Sequence, residues 1–381
     1  MLFAEIPGFE SLKVVLTQAA TSGHIAHAQL FAGQPGSAAL PLALAYTTYI
    51  NCTDRSETDS CGKCPSCVKY GKMAHPDLNF VFPVATSKEV SEAPSSASYI
   101  KQFRQFVQDQ QFGGPQEWGA FFGAENKQLN ISVGEARYII STLSLKPYEA
   151  KWKVMLIWLP EFMNLGAANA ILKVLEEPTP DTLFILVSES IEKLLPTILS
   201  RVQMIRVPPF ENDQVEQFLI SHAGVPALEA RTIAMLSGGS LSEARRLMQE
   251  DTSIYYELFT SWMRSCYAHK YPELLQQTEL FGKLGREGQK GFFQYALSML
   301  RESLLSHEGA HDLVKLPEQE LGFVRKFSAF VHTDNMPDIL DHLGTAWMHI
   351  ERNANAKIVF FDTSLYLCQL LRIAAPNCEE A

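Results

Sequence analysis

KVMLIWL, residues 153–159, and LFILV, residues 183–187, decide the fold. Past the leading Lys153, each is an unbroken apolar run of strand length, and a strand without polar alternation is one buried on both faces. Such strands belong to a parallel sheet covered by helices. Between them, Ala167 to Glu177 has helical spacing and is stopped by Pro178. Strand, helix and strand in this order give a doubly wound α/β core. Towards the N-terminus, Gln29 to Ala32 is a further apolar run that meets the turn Gly33-Gln34-Pro35-Gly36. Leu12 to Ala20 precedes it with helical spacing. Leu40 to Ile50 follows as a helix whose Pro41 is confined to the first turn. Ala85 to Ser98, rich in Ser and Ala, reads as an exposed loop. Val207-Pro208-Pro209 closes the core, and from Asn212 onward the pattern is almost entirely helical. The Gly238-Gly239 break and the polar stretch Gln249 to Ser253 divide that part into a small helical domain and a larger one.

Composition sets the outer bounds. A chain of 381 residues has room for two or three domains, and 46% apolar residues with 23 Phe support packed cores rather than disorder. Forty-two acidic against 32 basic residues leave a net charge of -10. That balance speaks against a surface built wholly for nucleic acid and leaves room only for a local basic patch. No apolar run reaches the ~18 residues of a membrane span. Met1 to Glu10 carries Glu5, Pro7 and Gly8 and no basic region, so it does not read as a secretory signal. The expectation is a cytoplasmic protein with no membrane partner. Seven Cys in such a chain point to metal or free thiols rather than to disulfides.

Four of the seven are clustered. Cys52, Cys61, Cys64 and Cys67 have the spacing C-x8-C-x2-C-x2-C. Two overlapping C-x2-C steps let thiolates converge on one tetrahedral ion, and the polar x8 loop returns Cys52 as the fourth ligand. Four thiolates with no open position make a closed structural Zn²⁺ site. An iron–sulfur cluster and a redox thiol pair are the competing readings. Cys266, Cys368 and Cys378 stand alone, and the first two read as buried apolar residues.

The turn at Gly33 has the strand–turn–helix layout of a phosphate loop, whose working form is G-x-x-x-x-G-K-[ST]. Counting from Gly33 through Gly36, the second Gly falls on Ala38, the Lys on Ala39 and the hydroxyl residue on Leu40. The charge for the β/γ-phosphates and the Mg²⁺ ligand are both missing. Backbone amides at the helix start could still attract an anion. A second nucleotide signature, an acidic pair at the end of an apolar strand, is missing too. Trp158 and Leu159 stand there, with Glu161 beyond Pro160. Two blank sites predict that ATP is neither hydrolysed nor tightly bound.

Taken in order, His27-Ala28-Gln29-Leu30-Phe31, the four-Cys insertion, His75-Pro76-Asp77-Leu78, Lys153-Val154, Asn169 to Pro178 (NAILKVLEEP) and Leu199-Ser200-Arg201 resemble a known family. It is that of the delta-prime, gamma and tau subunits of bacterial DNA polymerase III clamp loaders. The resemblance covers residues 1 to 210. Beyond it rest Gly238-Gly239-Ser240 and Arg352 to Lys357. Without the Lys and the acidic residue that gamma and tau keep, the chain sides with the delta-prime branch. The resemblance implies an AAA+ core over 1–209 with a zinc module at 52–67, a helical lid over 210–252 and a helical collar over 253–381. It implies as partners gamma/tau-like and delta-like subunits, the sliding clamp, and primed DNA through the complex. It also implies an arginine finger within a Ser-Arg-Cys motif, here Ser200-Arg201-Val202, which keeps the Arg and lacks the Cys. A guanidinium donated in trans can raise phosphoryl-transfer rates roughly 10³- to 10⁵-fold. A lone surface Arg is more commonly part of an ordinary ion pair. The family's nucleotide-sensing Arg falls on Ser242, with Arg245 and Arg246 a turn further on. Glu176 and Glu177 end a helix before a Pro and read as structural. An active AAA+ ATPase and a zinc-dependent nucleic-acid-binding module are the alternative functions.

Overall fold

The computed structural model describes residues 1–125, 127–248, 253–310, 313–314, 316 and 318–373. The chain forms two compact units, one of Met1–Ala223 with Gly238–Glu243, the other of Gly224–Ser237 with the chain from Ala244 onward. In chain order the first unit runs through α1 (Glu10–Thr21), β1 (Ala28–Ala32), α2 (Ala39–Ile50), α3 (Pro65–Gly71), β2 (Leu78–Val81), α4 (Ile100–Asp109) and α5 (Pro115–Phe121). It continues with α6 (Val133–Leu143), β3 (Lys153–Trp158), α7 (Leu165–Glu176), β4 (Thr182–Ser188), α8 (Pro196–Leu199), β5 (Gln203–Arg206) and α9 (Asn212–Ala223).

The five strands form one sheet in the order β2-β3-β4-β1-β5, and every pairing is parallel. The two apolar runs become β3 and β4, in which every residue is buried. They lie side by side, with Leu156 opposite Ile185 and Trp158 opposite Val187. This is what continuous Val, Ile and Leu runs produce when helices cover both faces. One face packs Leu30, Met155, Ile157, Phe184 and Leu186 against Ala136 and Ile139 of α6 and Ile171 and Leu175 of α7. The strands at the two edges, β2 and β5, are the shortest. In β5 only Ile205 is even half-buried.

Ala85 to Ser98, expected as an exposed loop, is only partly one. Ser87 and Ser96 are buried, and Ser96 exchanges hydrogen bonds with the backbone of Phe82 (3.1 and 3.2 Å). It leads into α4 and α5, whose Phe103, Phe106 and Trp118 pack on Phe82 and on Trp158. These helices build a second, aromatic core beside the sheet.

The second unit is helical: α10 (Ala227–Leu236), most of α11 (Leu241–Leu247), α12 (Ser253–Tyr267), α13 (Tyr271–Lys283), α14 (Gly285–His307), α15 (Glu318–Phe327), α16 (Met336–Glu351) and α17 (Ala356–Leu370). Trp262 centres its core. The Trp262 ring stacks on Phe360 at 4.7 Å, and its indole N–H donates to Ser364 Oγ at 2.7 Å, tying α12 to α17. Cys266 and Cys368 lie buried in this unit, as their isolation in the sequence suggested. Cys378 and most of the polar stretch Gln249 to Ser253 lie outside the described residues. Among the described residues no helix is long and apolar enough to cross a membrane.

Candidate functional site

Cys52, Cys61 and Cys64 lie in the excursion between α2 and α3, and Cys67 in the first turn of α3. Their Sγ atoms all lie within 4.8 Å of one another, with Cys61 and Cys67 at 4.0 Å. Tetrahedral thiolates around Zn²⁺ at about 2.3 Å stand roughly 3.8 Å apart, so the cluster fits a zinc ion. Backbone N–H groups already point at the sulfurs: Cys61 N–H at Cys52, Cys64 N–H at Cys61 and Cys67 N–H at Cys64, at 3.3 to 3.4 Å. Burial opposes ionisation of Cys64, but the hydroxyl and N–H of Thr53 and the N–H of Cys67 outweigh it and bring the thiol down to about 6. Burial, followed by the Cys64 and Cys52 thiols, pushes Cys67 up. Four sulfurs this close cannot all ionise without a cation among them. The excursion is anchored to the N-terminal turn through its own Asp59, whose carboxylate accepts the N–H groups of Phe3 (3.1 Å) and Ala4 (2.9 Å).

The phosphate-loop residues lie between β1 and α2, as the Gly-rich turn required. Ala38, Ala39 and Leu40, where α2 begins, are all buried. The mouth of the loop is filled by the chain itself. Leu241 N–H donates to the Gly36 carbonyl (3.0 Å), and Gln34 Nε2 donates to the Gly238 carbonyl (2.9 Å). Gly36 is left-handed, at φ 74°, and a Cβ there would collide with the Ser240 and Ser242 hydroxyls. Ser242 is thus part of this closure. The sequence signalled the break at Gly238-Gly239 but not where the residues after it go. Beside the loop an open groove of about 510 Å³ is lined by Gly33, Gln34, Ser188, Glu189, Arg206 and Pro208, among others.

The end of β3 is covered by packing. Trp158 is 1% exposed and packs against Phe103 and Phe106 of α4, at 5.5 and 5.9 Å. Leu159 turns left-handed (φ 57°), and Glu161 then folds back to accept the N–H groups of Glu189 (2.8 Å) and Ser190 (3.1 Å). Its carboxylate therefore holds the end of β4. Burial, then the Glu161 and Glu117 carboxylates, push the acid of Glu189 up to about 8. Neither Glu189 nor the cover over Trp158 was visible in the sequence.

Arg201 lies in the turn between α8 and β5, its side chain 30% exposed. Its Nε and Nη2 both donate to Glu176 Oε2, at 2.9 and 2.8 Å. Its Nη1 reaches the Thr197 carbonyl (3.1 Å) and Ser200 Oγ (3.3 Å). Within the chain it is a surface ion pair.

The family model described as "DNA polymerase III, delta subunit" matches residues 9–211, more than half of the chain. The chain belongs to this family. The match contains the four cysteines, the phosphate loop and Arg201. Among curated relatives, the DNA polymerase III subunit delta' of Pseudomonas aeruginosa is 30% identical over 224 residues, 58% of this chain and 56% of the relative. That of Bacillus subtilis is 26% identical over 227 residues, 60% of this chain and 55% of the relative. A gamma/tau subunit of Mycobacterium tuberculosis is 26% identical over 199 residues, 52% of this chain and 27% of the relative. The chain spans little more than half the length of the two delta' relatives. A gamma subunit-related DNA polymerase III protein of Thermotoga maritima aligns over 94% of this chain and 99% of its own at 16% identity, with a TM-score of 0.32. The family model and the two delta' relatives agree in making the chain similar to DNA polymerase III subunits of the delta' kind.

Proposed function

We propose that the chain is a non-hydrolysing delta-prime subunit of a clamp loader, an AAA+ protein that lends Arg201 to an ATP site on a neighbouring subunit. Its partners are gamma/tau-like and delta-like subunits, and through them the sliding clamp and primed DNA. The division into core, lid and collar is 1–209, 210–252 and 253–381. What carries this reading is one contrast. The three positions an ATPase needs hold buried Ala39, Leu40 and Trp158, while the guanidinium of Arg201 reaches the surface. A site without Lys, hydroxyl or acid cannot neutralise a triphosphate or hold its Mg²⁺. A guanidinium at the rim can stabilise charge on a phosphoryl group held by another chain.

Cys52, Cys61, Cys64 and Cys67 are the residues that would hold zinc. Bound there, the ion supplies a structural cross-link with no position for water or substrate.

The test is the clamp- and DNA-stimulated ATPase rate of reconstituted loaders differing only in Arg201→Ala. We expect a slower rate at unchanged assembly. The wild-type rate in the variant would reduce the chain to a passive spacer.

A further inference from the structure

Three of the motifs that are far apart in the sequence are linked in a chain of contacts that ends at Arg201. His27, just before β1, places its Nε2 2.9 Å from the carbonyl of Leu175 in the last turn of α7. The His27 carbonyl in turn accepts the N–H of Phe184 in β4, at 2.8 Å. The next residue after Leu175 is Glu176, and Pro178 forbids the helix to run on. Glu176 is therefore carried on a helix end pinned to the sheet. Arg201, by contrast, follows a four-residue helix, held there by the bond from its own N–H to the Ile198 carbonyl (3.0 Å).

We propose that Glu176 is the positioning residue for Arg201, setting the plane of its guanidinium before a neighbour's phosphate arrives; this rests on the finger reading above. A single carboxylate oxygen, Oε2, takes both Nε and Nη2, while Thr197 and Ser200 take Nη1. The guanidinium is thus fixed along two edges. The Glu176 side chain is 59% exposed, and an ion pair so open to water adds little to folding. Its consequence is conformational. An unrestrained Arg must be ordered when it binds, which costs about two- to tenfold in the equilibrium for one long side chain. An Arg already held in the free chain does not incur that loss at the transition state. The sequence assigned Glu176 to a helix end; the structure gives its carboxylate to the finger.

The experiment compares complete loaders, assembled from the full chain and its ATPase and delta-like partners, with clamp and primed DNA present. The variants are Glu176→Ala, Glu176→Gln, Arg201→Ala and the double Glu176→Ala/Arg201→Ala. We expect Glu176→Ala to lower the single-turnover rate at the one ATP site that Arg201 would serve about two- to tenfold, and total kcat by less, at unchanged KM for ATP, melting temperature and assembly. Glu176→Gln keeps an acceptor oxygen and recovers part of the rate, and the double variant is no slower than Arg201→Ala. A wild-type or higher single-turnover rate for Glu176→Ala, beside a slow Arg201→Ala, overturns the positioning role and leaves the finger standing. A wild-type rate for Arg201→Ala overturns both. A double variant slower than Arg201→Ala, or a loss of melting temperature or assembly in Glu176→Ala, means Glu176 acts otherwise and also overturns the proposal.

Discussion

Asp77 shows what a motif residue does when it carries no chemistry. The residue is 1% exposed, and its carboxylate accepts three backbone N–H groups, from Tyr148 (2.6 Å), Glu149 (2.8 Å) and Ala150 (2.9 Å). That holds the turn leading into β3, while His75 takes the Asp77 N–H on Nδ1 (3.1 Å). Burial alone would raise the Asp77 acid; the three donors outweigh it and hold it below its ordinary 3.8. The folded state therefore prefers the carboxylate, so its contribution is complete at neutral pH and is lost as the pH falls below 3.8. Asp77→Asn should cost about 1–3 kcal/mol at pH 7 by urea denaturation, because buried donors lose a charged acceptor. The gap between variant and parent should narrow in acid; a gap constant down to pH 3 would show that ionisation is not its source. The resemblance quoted His75-Pro76-Asp77-Leu78, yet nothing in those four residues says that the partners lie some seventy positions away. Trp158 teaches the converse. Its identity was plain in the sequence, but only the packing of Phe103 and Phe106 explains why an indole suits that position.

Elements that were legible are those whose burial is written as an uninterrupted pattern. The run read as Lys153 to Leu159 is β3, and the helix read from Ala167 to Glu177 is α7, displaced by a residue or two at its ends. Short edge strands escaped: β5 is Gln203-Met204-Ile205-Arg206, a sequence with no apolar face to announce it. The α4 and α5 helices escaped as well, because their aromatic residues find partners across long sequence separations. The cysteine excursion was legible from spacing, but its anchor at Asp59 was not. We expect one zinc per chain by elemental analysis. Its removal should expose residues 52–67 and the Phe3–Glu5 turn to hydrogen exchange while the parallel sheet stays protected. Structural zinc in small sites is worth roughly 10–16 kcal/mol apparent, enough to order such a segment. Iron in place of zinc, or zinc well below one equivalent, would defeat this. The phosphate loop gives a second test at this scale. Ala39 is 3% exposed, and the loop mouth is closed by Gly238 to Ser242. Ala39→Lys should therefore neither create ATPase activity nor tight ATP binding in the isolated chain. Calorimetry showing micromolar ATP binding in that variant would mean the self-made closure yields to nucleotide.

At the scale of the whole molecule, the cysteine cluster, the closed phosphate loop and Arg201 all fall in the α/β unit, while the helical unit holds a core around Trp262. The sequence divided the chain at composition breaks, and the break at Gly238-Gly239 proved to be more than a linker, since those residues return to the phosphate loop. Arg201→Lys brings the functional reading down to one side chain in the complete assembly. Lys keeps the charge but presents it as a compact ammonium, without the planar fork that can bond two oxygens at once. It also cannot reproduce the present arrangement, in which Glu176 Oε2, the Thr197 carbonyl and Ser200 Oγ hold three nitrogens of one plane. If charge alone mattered, Arg201→Lys would retain most of the stimulated ATPase rate of the loader. If the oriented fork matters, Arg201→Lys should lose nearly as much as Arg201→Ala, up to roughly 10³-fold at the neighbouring ATP site proposed for Arg201. The fall in total turnover will be smaller wherever other ATP sites in the ring keep their own fingers. Single-turnover rates, measured on loaders of matched composition, separate that site from the rest. A Lys variant near the wild-type rate beside a slow Ala variant would place the effect in charge and not in geometry.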